Sequence, residues 1–184
     1  MRIEPFVRRE YKARLVQHYV TPRAQVLDLG CGLDHYRSPN AALWVSIDVA
    51  HHPDLRADCT HLPLGAGLFD CVLLFDLIEH VRDLQALFDE CARVLKPQGT
   101  IVLITPNTLG FGLWDSFADP THVHHLNRYA LRQWARRCGF VVTAWHRGDF
   151  HLYFKRVPGL PDAVHTALQQ SLICELRPRR PLAN

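Results

Sequence analysis

Apolar positions along the chain follow two different rhythms. Short runs rich in valine, isoleucine and leucine predict β-strands, and the stretches between them repeat apolar residues at helical spacing. The predicted strands of this part are residues 26–29, 44–49, 55–59, 69–75 and 100–105. Strands that alternate with helices predict an α/β sheet with helices on both faces.

The clearest helix follows the fourth predicted strand. Its apolar residues repeat at i, i+3, i+4 and i+7 across residues 84–95, and Asp83 is a good N-cap. The sequence Lys-Pro-Gln-Gly at 96–99 is expected to end it. A second capped helix is predicted to begin after Asn127 and to close at Gly139.

The two ends of the chain carry further elements. Residues 5–19 predict an N-terminal helix, and residues 140–145 and 150–154 predict two final strands joined by a hairpin at 148–149. A short helix is predicted over 163–176. We expect a single domain over residues 1–184, divided into an N-terminal helix within 1–22, a core over 25–156 and a C-terminal extension over 157–184.

Composition is that of an ordinary globular domain. Of the 184 residues, 48% are hydrophobic and 21% are charged. No apolar run approaches the roughly 20 residues that span a bilayer, and the first residues lack a hydrophobic signal core. We therefore expect no membrane span and no targeting segment. The net charge of +3 is only a weak hint of anionic partners.

The six cysteines are scattered, and none form a C-x-x-C pair. This usage argues against a disulfide scaffold and against a structural zinc site. We therefore expect free thiols and a cytoplasmic protein.

Candidate chemistry lies just after the predicted strands, where α/β sheets bind their ligands. The first strand runs into a G-x-G turn at residues 30–32, which lets a ligand touch the backbone. A nicotinamide-binding fingerprint would need a third glycine where this chain has His35. Asp48 ends the second strand, where a carboxylate can accept both ribose hydroxyls of an adenosine. Asp58 could accept a hydrogen bond from an adenine amino group.

Five motifs in register extend this pattern from residue 25 to about residue 140. In chain order they read VLDLGCG, SIDV, RADCTHLPL, LFDCVLLFDLIEHVRD and ARVLKPQGTIVLITPN. Together they resemble the class I S-adenosylmethionine-dependent methyltransferases, and among these a bacterial small-molecule branch similar to type 11. The resemblance implies a Rossmann-like, seven-stranded, mostly parallel sheet with helices on both faces and an antiparallel C-terminal hairpin. It implies S-adenosyl-L-methionine as the cofactor and S-adenosyl-L-homocysteine as the product.

The resemblance also implies a cofactor site. Asp28 would lie near the amino group, the glycine turn against the methionine part, and Asp48 at the ribose hydroxyls. Val49 would face the adenine, whose edge would meet the Asp58 side chain and the Cys59 backbone N–H. The end of the fourth strand would line the methionine end. The implied cofactor-binding residues are Asp28, Gly30, Cys31, Gly32, Asp48, Val49, Asp58, Cys59, Leu74, Phe75 and Asp76.

The loop after the glycine turn departs from the family pattern. Asp34 or His35 stands where a further glycine is usual, and the segment 33–43 is short for the first crossover helix. The short segment leaves open how the carboxylate of the cofactor is held, and Arg37 is a candidate.

Methyl transfer from a sulfonium mainly requires that nucleophile and methyl group are aligned, although a general base can also be needed. The candidate catalytic residues are His80, His122 and His124. The last two belong to the aperiodic stretch 108–126, which is typical of a functional loop or lid. His122 and His124 would point the same way on an extended segment and, with Asp119, could bind a metal. No second ligand group supports that, so no metal site is assigned. Each histidine could instead merely fix its loop.

We therefore expect an enzyme that methylates a small molecule, with a sugar or a glycan-linked intermediate as one candidate acceptor. Two alternatives stay open. One is a non-catalytic protein that binds S-adenosylmethionine or S-adenosylhomocysteine, and the other is an RNA or protein methyltransferase that uses the basic late helix. The missing third glycine counts against a nicotinamide-dependent reductase. Nothing resembles an RNA-binding module, so nucleic acid is a minor option, and the sequence leaves the oligomeric state open.

Overall fold

The computed structural model describes residues 6–33, 36–148, 159 and 161–179. Within these residues the strands are β1 (Gln25–Leu29), β2 (Leu43–Asp48), β3 (Leu55–Arg56), β4 (Phe69–Phe75), β5 (Leu95–Pro106), β6 (Phe140–Trp145) and β7 (Ser171–Pro178). The helices are α1 (Phe6–Tyr19), α2 (Leu84–Val94), α3 (Leu113–Ala118), α4 (Arg128–Arg137) and α5 (Asp162–Leu168). In this part of the chain no helix has the length and apolar content needed to cross a membrane.

The strands of the described residues form one seven-stranded sheet in the order β3-β2-β1-β4-β5-β7-β6. The strands β1 to β5 pair in parallel, whereas β7 is antiparallel to both of its neighbours. The sheet is therefore mostly parallel with antiparallel C-terminal strands, which confirms the predicted fold class. Because β1, β2 and β4 are parallel neighbours, their carboxyl ends meet at one edge of the sheet, where ligands of such folds bind.

Both faces of the central strands are buried, which accounts for their nearly continuous apolar sequence. On β4, Val72 and Leu74 belong to one core and Leu73 belongs to the other. The first core is closed by α2 and α4, and the second by α1 through residues such as Leu15. Helices thus cover both faces of the sheet, as the alternating sequence predicts.

Side-chain caps set the two predicted helix starts. The Asp83 carboxylate accepts a hydrogen bond from the backbone N–H of Ala86 at 2.9 Å. The Asn127 side chain likewise accepts from the backbone N–H groups of Tyr129 and Ala130. Both α2 and α4 therefore begin where the sequence predicts. α2 ends at Val94, so the 96–99 segment lies within β5 rather than in a separate turn.

The C-terminal part of the chain differs from the prediction. The predicted helix over 163–176 is confirmed only in its first half, because α5 covers Asp162–Leu168, and it is wrong beyond that, because a strand begins at Ser171. This strand, β7, lies between β5 and β6, so the predicted extension 157–184 supplies an interior strand of the sheet. The predicted strand 150–154 lies outside the described residues.

The error has a physical reason. Leu172 and Cys174 belong to one core and Ile173 to the other, so the segment has the period of a strand buried on both faces. A short apolar run of this kind does not separate strand from helix by periodicity alone. The assignment depends on pairing with β5 and β6, which are distant in sequence.

The third strand and the 108–126 stretch also differ in detail from the predicted elements. β3 has two residues rather than the predicted 55–59, and the aperiodic stretch 108–126 contains the short helix α3. The six cysteines are free thiols, as expected.

Candidate functional site

A cavity of about 500 Å³ opens between the loops that follow β1, β2, β3 and β4. Several of its lining residues are predicted from the sequence: Gly30, Asp48, Val49, Asp58, Cys59 and His80. Leu77 and Val81 add apolar side chains that the sequence analysis does not identify. A concave, partly apolar site with a few polar groups is what small molecules and cofactors bind.

The turn after β1 needs its glycines. Gly30 and Gly32 have φ angles of +67° and +61°, in the left-handed region that other residues rarely adopt. A Cβ atom on Gly30 would lie 2.7 Å from Cδ1 of Leu77, whereas a Cβ on Gly32 would have no atom of the described residues, other than its own chain neighbours, within 4 Å. The turn therefore leaves open space beside Gly32.

Asp48 joins two of the loops at the carboxyl edge. One carboxylate oxygen accepts from the backbone N–H of Gly32 at 3.0 Å, and the other accepts from that of Ala50 at 2.8 Å. A carboxylate has about four lone-pair sites, so Asp48 keeps acceptor capacity at the cavity wall. Its position at the end of β2 agrees with the predicted one.

The part of the cavity wall formed by the segments after β2 and β3 has both an acidic and an apolar surface. Oδ1 of Asp58 accepts from both the backbone N–H and the hydroxyl of Thr60, and these bonds lower the pKa of Asp58. Burial raises the pKa of the neighbouring Cys59 to about 11, so this thiol is neutral near pH 7. Val49 is 62% exposed, so an apolar side chain is presented on the wall of the cavity.

Asp28 is a buried carboxyl at the end of β1. It is 2% exposed, and its Oδ2 has no hydrogen-bond partner among the described residues. Burial raises the pKa of Asp28 from 3.8 to about 7, although the charges of Lys12 and Arg37 act in the opposite direction. Arg37, the candidate for a cofactor carboxylate, forms an ion pair with Asp54.

The other predicted cofactor residues do not appear on the cavity wall. The side chains of Cys31, Leu74 and Phe75 are buried, and Leu74 and Phe75 belong to the two cores. Any contact of Leu74 or Phe75 with a ligand would therefore involve the backbone. Asp76 has a φ of +50° and forms an ion pair of 2.9 Å with Lys12.

His80 is the predicted catalytic residue that lines the cavity. Its Nδ1 lies 2.9 Å from the hydroxyl oxygen of Thr121, and that hydroxyl donates to the carboxylate of Asp119 at 2.6 Å. Because the hydroxyl hydrogen is used on Asp119, the hydroxyl oxygen accepts from Nδ1–H of His80. Burial and the neighbouring His122 lower the pKa of His80.

His122 and His124 contact different groups. Nδ1 of His122 lies 2.9 Å from the carbonyl oxygen of Ser116, and its ring packs edge-on against His80 at a centroid distance of 4.6 Å. Nε2 of His124 lies 2.9 Å from the carbonyl oxygen of Val81. The two rings therefore contact different backbone carbonyls. Among the described residues, the ligand atoms that cluster with His122 come from Glu79 and His80 and not from Asp119 or His124, so the expected set of Asp119, His122 and His124 is not formed.

Glu79 is the residue that the sequence analysis overlooks. It is 1% exposed, and its carboxylate accepts from the hydroxyl of Thr105 at 2.9 Å. Its backbone oxygen accepts from the N–H groups of Val123 and His124, at 2.8 and 3.2 Å. These bonds hold the 108–126 stretch against the turn after β4. The only signal in the sequence is that Glu79 precedes His80 in the motif.

The chain is similar to known methyltransferases. It is 32% identical over 115 residues to a "Probable S-adenosylmethionine-dependent methyltransferase" of Mycolicibacterium smegmatis, an alignment that covers 60% of this chain. It is 31% identical over 113 residues to a ubiquinone biosynthesis O-methyltransferase of Rhodopseudomonas palustris, covering 51% of this chain. In both cases the match spans 43% of the relative's own length.

The fold and the family agree with these matches. The crystal structure of an S-adenosylmethionine-dependent methyltransferase from Archaeoglobus fulgidus has a TM-score of 0.68 to this chain, at 17% identity, over 91% of this chain and 93% of that one. At this identity the likeness concerns the fold. The sequence profile of the methyltransferase domain family matches residues 6–144, well over half of the chain. The chain therefore belongs to the methyltransferase domain family, as its motifs predict.

Proposed function

We propose that the cavity binds S-adenosylmethionine and that the chain transfers its methyl group to a small molecule. The main support for this proposal is a single cavity at the carboxyl ends of three neighbouring strands. It is lined by residues from all three strand ends: Gly30, Asp48, Val49 and Asp58. These are residues that the family pattern assigns to the cofactor. The names of the two relatives support both the cofactor and a methyl-transfer reaction.

The residues present fit this cofactor. The buried Oδ2 of Asp28 has no hydrogen-bond partner in the described part of the chain, and the amino group of a bound cofactor would supply one. The open space at Gly32 suits a ligand chain that passes against the backbone. Asp48 has acceptor capacity for ribose hydroxyls, and the exposed Val49 offers a flat apolar contact for adenine. When bound, the cofactor supplies a methyl group on a sulfonium, which is already an excellent leaving group.

The proton of the acceptor is expected to leave on the His80 side of the cavity. Because Nδ1–H of His80 is donated to Thr121, its Nε2 carries the free lone pair. The Asp119–Thr121 pair fixes this tautomer and orients the ring, as an orienting carboxylate does in other base-assisted sites. Burial lowers the pKa of His80, so the ring is neutral at pH 7. His122 packs against it and is proposed to assist, whereas His124 is proposed to hold the loop.

An oxygen acceptor on a small molecule is the most specific acceptor that the relatives support. The relative from Rhodopseudomonas palustris is named as an O-methyltransferase of ubiquinone biosynthesis. Leu77 and Val81 make one side of the cavity apolar, which suits an acceptor with a hydrocarbon or aromatic part.

The proposal is tested by following the methyl group. The purified chain is incubated with S-adenosylmethionine labelled in the methyl group and with a cell extract divided into low-mass and high-mass fractions. We expect label to enter the low-mass fraction only. Label in RNA or protein would favour the macromolecule alternative, and absence of transfer with intact cofactor binding would favour the non-catalytic one.

A chain with His80→Gln, which keeps a polar side chain of similar reach, is expected to transfer the label more slowly by roughly 100-fold.

A further inference from the structure

We propose that Glu79, His80 and His122 bind a divalent transition-metal ion of the zinc type at the edge of the cavity. One ligand atom from each side chain can be chosen so that all three lie within 4.8 Å of one another. Two imidazoles and one carboxylate form a common ligand set for zinc in sites that keep an open coordination position.

The hydrogen bonds of the two rings favour this inference. Metal-binding histidines almost always donate their other ring N–H to a carboxylate or a backbone carbonyl, which fixes the tautomer. His122 donates Nδ1–H to the carbonyl oxygen of Ser116, and His80 donates Nδ1–H to Thr121, which passes the interaction to Asp119. In the neutral form of each ring the lone pair therefore lies on Nε2, which is the atom left to bind a metal.

The two segments that carry these side chains are fastened together by the backbone. The carbonyl oxygen of Glu79 accepts from the N–H groups of Val123 and His124, the two residues after His122. The Glu79 carboxylate is itself held by the hydroxyl of Thr105 on β5. The cluster thus rests on elements that are held in place by these hydrogen bonds. A zinc ion with ligands at about 2.1 Å needs neighbouring ligand atoms about 3.4 Å apart.

The inference deepens the proposed function and rests on it for its role in catalysis. His80 lines the cavity, so an open position of the metal would face the acceptor. An acceptor hydroxyl bound there would lose its proton to solvent more easily, because the cation stabilises the oxyanion. The oxygen would then attack the methyl group, the carbon–sulfur bond would break, and neutral S-adenosylhomocysteine would leave. When the metal is bound, it replaces the free imidazole of His80 as the group that activates the acceptor.

The test measures metal binding directly. The full chain is stripped with a chelator, desalted and titrated with Zn²⁺ by calorimetry in the presence of a competing chelator. Co²⁺ serves as a second probe, because its visible absorption strengthens in a four- or five-coordinate site. We expect the natural chain to bind one Zn²⁺ ion tightly, which is called the tight equivalent below. Glu79→Gln and His122→Gln are each expected to weaken it by more than roughly 100-fold, beyond the effect usual for an outer hydrogen-bond partner.

Two further variants make the result specific. His125→Gln removes a histidine from the same stretch that is outside the cluster, and it should leave the tight equivalent unchanged. Thr121→Val removes only the link from His80 to Asp119 and should weaken binding by about 10- to 100-fold. Equal Zn²⁺ binding by the natural chain and by both Glu79→Gln and His122→Gln would overturn the proposal, as would the absence of a tight equivalent.

The same samples are titrated with S-adenosylhomocysteine, which separates the two proposals. Binding of this molecule without tight Zn²⁺ binding leaves the cofactor assignment intact and overturns the metal site. Tight Zn²⁺ binding without binding of S-adenosylhomocysteine supports the metal site and overturns the cofactor assignment. Retained binding of S-adenosylhomocysteine by the two ligand variants also establishes that they are folded.

Discussion

Replacing Gly30 with valine is expected to abolish cofactor binding. The Cβ atom alone would lie 2.7 Å from Leu77, and the branched side chain would extend into the cavity that Gly30 lines. The φ of +67° adds a backbone cost of about 1–2 kcal/mol for any side chain. We expect the affinity for S-adenosylhomocysteine, measured by calorimetry, to fall by more than roughly 100-fold, which is about 2.8 kcal/mol.

A matched control separates the backbone cost from the loss of the cavity. Gly67 also has a positive φ, of +64°, and a Cβ there would meet no atom of the residues that the structure describes within 4 Å. It is not among the residues that line the cavity. Gly67→Val should therefore carry the same backbone cost of about 1–2 kcal/mol without the contact with Leu77, and it should keep its affinity for S-adenosylhomocysteine. Normal binding by Gly30→Val would mean that the cofactor lies elsewhere.

Replacing Asp28 with asparagine is expected to stabilise the fold and to weaken cofactor binding. The pKa of Asp28 is raised by burial to about 7, against 3.8 without that burial. The folded state therefore binds the proton more tightly, and the stability of the natural chain falls as pH rises from about 4 to about 7. Above pH 7 the difference corresponds to about 4 kcal/mol, as an upper limit for one buried carboxyl.

The measurement is urea unfolding from pH 4.5 to pH 8.5. For Asp28→Asn, the free energy of unfolding should no longer fall with rising pH on account of this carboxyl. At pH 8 it should exceed the free energy of unfolding of the natural chain. Its affinity for S-adenosylhomocysteine should be lower, because the ammonium of the ligand no longer meets a carboxylate. Asp89→Asn, on the exposed surface of α2, is the control and should change stability by no more than about 0.5 kcal/mol. A variant less stable than the natural chain at pH 8 would refute the burial account.

The elements that the sequence predicts well are those with a local cause. β1 and β4 have nearly continuous apolar runs because both of their faces are buried, and α2 and α4 begin at the side-chain caps of Asp83 and Asn127. The strand β7 has no such local cause. Its apolar run fits helix and strand equally, and only the pairing with β5 and β6 decides between them.

The same distinction holds for the candidate site. The glycine turn, Asp48 and Asp58 each lie at or just after the end of a strand, so their motif is enough to bring them to one edge of the sheet. The neighbourhood of Glu79, His80 and His122 depends instead on backbone bonds between Glu79 and residues far along the chain. Spacing alone suggests that His122 and His124 act together, yet the carbonyl oxygens of Ser116 and Val81 hold their rings in different places.

Calorimetric titration with S-adenosylhomocysteine, with NADH as the control ligand, tests the central claim most directly. The account predicts that the natural chain binds S-adenosylhomocysteine and not NADH, because the third glycine of a nicotinamide site is missing. It predicts that Asp48→Ala weakens this binding by about 10- to 100-fold, as expected for the loss of hydrogen bonds to a charged group. Binding of NADH, or equal affinity of Asp48→Ala and the natural chain for S-adenosylhomocysteine, would contradict the assignment of the cavity as the methyl-donor site.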